Sequence, residues 1–203
     1  MAKKQRTYEG HELVATSRWR EHLPTVPEAD RDRIVARVDE LVADNREYCD
    51  EGNYNHLANI FTALALYEIE RERGLFEDEA VEAVGKPMWD FVEKHTAGTY
   101  RKLLSKPGML KLADRIVPAG FERGSGQGWE YVWHHDKSTT KHLQFECTSC
   151  IYAQIYSKYG VRRLGTIFCH ADDVNYGSIP GVTFTRKHTL CKDGQPCDFL
   201  FTK

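Results

Sequence analysis

A chain of 203 residues, 41% of them apolar, is long enough to bury a core of its own, which excludes a disordered or purely solvating protein. Its 28 basic and 30 acidic side chains leave a formal charge of −2, and Lys3, Lys4 and Arg6 are too few to act as a nucleic-acid arm, so no nucleic-acid partner is expected. The longest apolar run, around Ile60 to Leu66, falls far short of the roughly twenty residues that cross a bilayer, and no apolar signal core opens the chain. The expectation is a cytoplasmic protein with no membrane partner, in which the six cysteines are thiols, ligands or nucleophiles rather than bridges.

Residues 1–24 read as a polar tail ending in a docked segment, with Tyr8 and Trp19 as its large aromatic anchors and no functional role. Pro27 opens an amphipathic helix in which Ile34, Val35, Val38, Leu41 and Val42 recur at helical spacing to Tyr48. Glu51-Gly52-Asn53 breaks it, and Leu57, Ile60, Phe61, Leu64 and Tyr67 mark a second helix from about Asn55 to Arg73, closed by Gly74. A third begins with the acids Glu77, Asp78 and Glu79, which suit the positive end of a helix dipole, and Pro87 is expected to interrupt or kink it. A short helix from Met109 to Ile116 should end before Pro118. The histidines of this half (His11, His22, His56 and His95) stand singly and read as surface or satisfied core residues.

Gly120 to Gly128 is glycine-rich but lacks the lysine and hydroxyl of a phosphate-binding loop, and reads as a turn or hinge. The composition then changes. Trp129 to His135 and Lys141 to Glu146 alternate as strands, and Val182 to Leu190 with Cys197 to Phe201 form a hairpin turned by Lys192-Asp193-Gly194. Between the pairs lie two helices, about Ser149 to Tyr159 and Val161 to Asp173. The tyrosines at 152, 156 and 159 recur at helical spacing and read as core. The fold class is α+β, with a helical N-terminal half packed on a C-terminal antiparallel sheet with crossing helices. Residues 25–118 form the helical region and 119–203 the α+β region that carries the site, the two making one compact domain.

Five of the six cysteines fall between Glu146 and Phe201, interleaved with acids, an arginine and hydroxyls. Cys150-Ile151-Tyr152-Ala153, Cys169-x-x-Asp172, Pro180-Gly181 ahead of Arg186-x-x-Thr189, and Gly194-x-x-Cys197-Asp198-Phe199 follow one another in an order that resembles the L-2-amino-thiazoline-4-carboxylic acid hydrolases. The resemblance runs from Cys150 to Phe199. Lys187-His188 stands where smaller polar residues are expected, and Cys147 and Cys191 are additional to the pattern. What the resemblance implies is a hydrolase that opens a small cyclic amidine bearing a carboxylate.

Three readings of the cysteines compete. A structural zinc site fits poorly, because Cys169 is single and Cys191 and Cys197 are too far apart for paired ligands. A nucleophilic cysteine needs a thiolate, a carboxylate for the amidinium and a cation for the substrate carboxylate. The chain offers Cys150 at a helix start or Cys169 near His170, then Asp172 or Asp198, with Arg186, Thr189 and His170 for binding. In the third reading a divalent metal, zinc or manganese, is held by Cys150, Cys169 and Cys197 and activates water. The expected partner is a small-molecule substrate, with a homo-oligomer left open. The alternative to an enzyme is a small-ligand or metal-binding sensor without turnover.

Overall fold

The computed structural model describes residues 7–124 and 126–203. Lys3, Lys4, Arg6 and Ser125, which entered the sequence reading, lie outside the described residues. Helix α3 (Tyr54–Glu72) is the centre of the helical half, and residues on every side of it are buried, as a helix that is apolar all round must be. Around it pack α1 (Gly10–Thr16), α2 (Glu28–Asp44) and α4 (Glu77–Val92), whose apolar faces meet it through Leu13, Ile34, Val38, Leu41, Ala80, Val84 and Met88.

Pro87 does not interrupt α4. The carbonyl deprived of its donor is that of Ala83, which is exposed and can turn to water, so the missing bond costs little. A π-helical turn (Glu93–Ala97) follows, then α5 (Gly98–Leu104) and α6 (Met109–Gly124). Helix α6 runs past Pro118, and Gly120 lies inside it rather than in a hinge. Beyond the proline, Val117 and Phe121 pack on the sheet, and that tertiary burial outweighs the local penalty.

The fold is α+β. Strands β1 (Glu130–Trp133), β2 (His142–Ser149), β3 (Thr183–Thr185) and β4 (Cys197–Thr202) form an antiparallel sheet in the order β1-β2-β4-β3. Alternation along β2 turns Leu143, Phe145 and Cys147 inward, and the register sets them opposite Phe201, Phe199 and Cys197 of β4. This face meets α6 in a second core with Leu110, Ala113 and Phe121. Helices α7 (Ile151–Lys158) and α8 (Thr166–Tyr176) cross between the two cores. No helix among the described residues is long and apolar enough to cross a membrane.

Strand β3 is shorter than the alternation of Val182 to Leu190 predicts, because pairing stops at Thr185 and residues 186–190 leave the sheet as a loop. Asp198 explains that loop. Its Oδ1 accepts hydrogen bonds from the backbone N–H groups of Lys187 (2.9 Å) and His188 (2.7 Å), replacing the ladder partners the loop gives up.

Candidate active site

A cavity of about 210 Å³ opens where the two cores meet. That is below the roughly 300–1,000 Å³ of sites for drug-sized ligands and suits a single small ring. Its aromatic wall is His56, Trp129, Tyr131, Tyr152 and Phe168, with Phe145 and Phe199 contributed by the sheet. His56 lies against Trp129 with ring centroids 4.9 Å apart, and its Nδ1 is 2.9 Å from the Tyr152 hydroxyl. Burial, with the positive charge of Arg18 behind it, pushes the His56 imidazole down to about 4, so it is neutral at physiological pH.

Cys147, Cys150, Cys169, Cys191 and Cys197 all line this cavity, and all are free thiols. Each thiol's electrostatics is set by its neighbours: Cys147 by Cys150 and Cys197, Cys150 by Cys147 and Cys191, and Cys191 by Cys150 and Cys169. Cys150 is the N-cap of α7. The thiols of Cys147 and Cys191 and the N–H groups of Ala153 and Tyr152 hold the Cys150 thiol well below its ordinary range, against the opposing effect of burial. The backbone groups act here as oriented dipoles, since the sulfur makes no full capping hydrogen bond. The single Cys147 proton has a second acceptor in the Ser149 carbonyl, 3.1 Å away. Cys147 itself is driven the other way, its thiol held far above the ordinary range by Cys150 and Cys197. Gly165 permits this packing, since a Cβ there would stand 2.4 Å from the Cys191 sulfur.

Asp172 faces the same cavity from α8. Burial pushes its carboxyl up to about 6, and the Arg186 charge and hydrogen bond only partly offset that. Arg186 Nη1 donates to Asp172 Oδ2 at 2.8 Å, and no hydrogen bond is made to Oδ1 among the described residues.

The remaining predicted residues are placed differently. The Arg186 side chain, 4% exposed, spends its donors on Asp172, on Asp173 Oδ1 (2.9 Å) and on the Cys169 carbonyl (2.6 Å), and its guanidinium lies over Phe199. A fork filled by protein carboxylates has no free donor pair for a substrate carboxylate, and in this structure Arg186 holds Asp172 and Asp173 instead. Asp198, bound to two backbone amides, does not line the cavity. Thr189 holds the turn after it, its Oγ1 accepting from the Lys192 N–H at 3.0 Å. His170 leans on Trp89 in a shallow neighbouring groove of about 500 Å³ that meets the cavity only at Cys169 and Arg186.

The metal set fits no better. Among the described residues no three His, Cys, Asp or Glu side chains converge as ligands. Asp198→Asn is accordingly expected to keep turnover within about threefold of wild type while lowering stability by about 1 kcal/mol through a weakened amide contact. Steady-state kinetics and thermal melting check both, and a hundredfold loss of turnover would return Asp198 to the site.

His56 and Arg18 were missed as site residues. His56 carries a usable signal, a titratable side chain four residues before Ile60 on a helix in which Leu57, Ala58, Ile60 and Phe61 are buried. Arg18 has only its place beside the Trp19 anchor.

The fold is α+β, and a small, largely aromatic cavity in it brings together five free thiols, among them Cys150, and the Asp172 carboxylate. The family model for L-2-amino-thiazoline-4-carboxylic acid hydrolase matches residues 54–201, and the chain belongs to that family. No curated protein and no solved structure matches it.

Proposed function

We propose that the protein is a hydrolase that opens a 2-aminothiazoline-carboxylate-like cyclic amidine through a covalent intermediate on Cys150. The observation that carries this reading is the position of Cys150, a thiol depressed by a helix start and two neighbouring thiols, in the same cavity as Asp172. Family membership supplies the substrate class.

In this reading the Asp172 carboxylate pairs with the protonated amidine, as carboxylates pair with guanidinium groups. The aromatic rings around it favour a flat cation. Cys150 Sγ attacks the carbon between the nitrogens, a C–S bond forms, and the electron pair of the amidine double bond moves to nitrogen. The ring C–N bond then breaks as its nitrogen takes a proton, for which the thiols of Cys147 and Cys191 are the nearest sources. Water adds to the resulting iminodithiocarbonate adduct, whose carbon carries one nitrogen, the ring sulfur and Cys150 Sγ; the Cys150 thiolate leaves, and a proton of the water returns to the thiol that gave one up, giving an S-carbamoyl ring-opened product and the free enzyme.

The test is incubation of purified protein with 2-aminothiazoline-4-carboxylate and detection of the ring-opened product, with and without a chelator. Turnover unchanged by chelator is expected. Turnover abolished by chelator and restored by zinc or manganese would favour metal-activated water, and ligand-dependent stabilisation without product would favour a sensor.

A further inference from the structure

We infer that the carboxylate of the substrate is bound by Arg18, contributed by the N-terminal segment that lies outside the family-matched stretch. The inference rests on reading the 210 Å³ cavity as the substrate site.

Two arginines line that cavity. Arg186 is neutralised by Asp172 and Asp173. The guanidinium of Arg18 makes no ion pair or hydrogen bond among the described residues. A cation left unpaired in the wall of a largely aromatic pocket is a place for an anion, and a guanidinium presents parallel donors that match a carboxylate.

The segment that delivers it is rigidly held. Ser17 is fully buried, and its Oγ donates to the Val14 carbonyl at 2.8 Å. The Arg18 N–H donates to Asn59 Oδ1 at 2.9 Å, and Asn59 Nδ2 in turn donates to the Asn55 carbonyl at 2.7 Å, which fixes the amide's orientation. Trp19 is fully buried, donates from Nε1 to the Val84 carbonyl at 2.8 Å and meets the edge of Phe168. Arg18 therefore lies between two buried neighbours, and its half-buried side chain lines the cavity. Its charge also bears on His56, Tyr152 and Asp172, which places it on the same cavity as the thiol and the carboxylate. An amidinium at Asp172 and a carboxylate at Arg18 would hold a zwitterionic ring at both ends, with the carbon to be attacked facing Cys150.

The experiment compares wild type, Arg18→Gln and Arg18→Lys on 2-aminothiazoline-4-carboxylate and on 2-aminothiazoline, which lacks the carboxylate. Both turnover and the ligand-induced rise in melting temperature are read. For Arg18→Gln the expected result is a KM for the carboxylate raised by about ten- to a hundredfold with kcat little changed, and no change on 2-aminothiazoline. Arg18→Lys should recover part of the loss, since it keeps the charge but not the fork. Equal losses on both compounds, or no loss on either, would overturn the assignment, as would a wild-type protein that the carboxylate does not stabilise. If wild type turns over neither compound but is stabilised by the carboxylate, and Arg18→Gln removes that stabilisation, the anchor stands and hydrolysis fails.

Discussion

Replacing Cys150 by serine is expected to remove turnover, by at least about a thousandfold or about 4 kcal/mol of transition-state stabilisation, while the melting temperature shifts by only a few degrees. The serine hydroxyl keeps the volume and the place at the start of α7, so the core around Ile151 and Tyr156 is undisturbed. What it lacks is an ionised form at neutral pH, because a helix start and two thiol neighbours that favour a thiolate are far too weak to ionise an alcohol. Cys169→Ser separates the two candidate nucleophiles. Cys169 is a neighbour of Cys191 and gives its backbone carbonyl to Arg186, a bond that serine retains. Its substitution is expected to cost less than about tenfold. A Cys150→Ser enzyme with near wild-type turnover would remove the covalent reading altogether.

The second large effect is at Asp172. Burial raises its carboxyl to about 6, so the group is ionised above that pH and protonated below it. A carboxylate that must be negative to hold an amidinium therefore gives kcat/KM an acid limb, with activity falling about tenfold per pH unit below about 6. Asp172→Asn is expected to lower kcat/KM about a hundredfold at neutral pH and to flatten the limb, while Arg186 keeps Asp173 and the Cys169 carbonyl as partners. A pH profile of the variant with the limb intact would assign it to another group.

Much of the fold follows from local pattern. The alternation of Leu143, Phe145 and Cys147 and the Cys197, Phe199, Phe201 face both point inward, and the place of Cys150 between strand and helix is read from the sequence alone. Local rules fail where distant contacts decide. Pro87 and Pro118 stay inside helices because an exposed carbonyl in one case and sheet packing in the other remove the reason to break. Arg186 and Thr189 lie in a loop rather than a strand, because pairing stops at Thr185 and Asp198 binds two of the loop's amides. Arg186 looked like a substrate anchor because its partners, Asp172 and Asp173, lie on a helix whose docking the sequence does not declare. His56 meets Tyr152 across 96 positions, and Cys147 and Cys191, which lie outside the family pattern, become the immediate neighbours of Cys150 only in three dimensions.

The covalent step itself is open to direct measurement. Protein mixed with 2-aminothiazoline-4-carboxylate, quenched in acid within the first turnover and digested, should carry the added mass of the opened substrate on the peptide that contains Cys150. The adduct should be absent from Cys150→Ser and should accumulate in Asp172→Asn only in proportion to its residual rate. Product formation with Cys150 unmodified at every quench time, or with the mass on Cys169 instead, would contradict the assignment of Cys150 as the nucleophile.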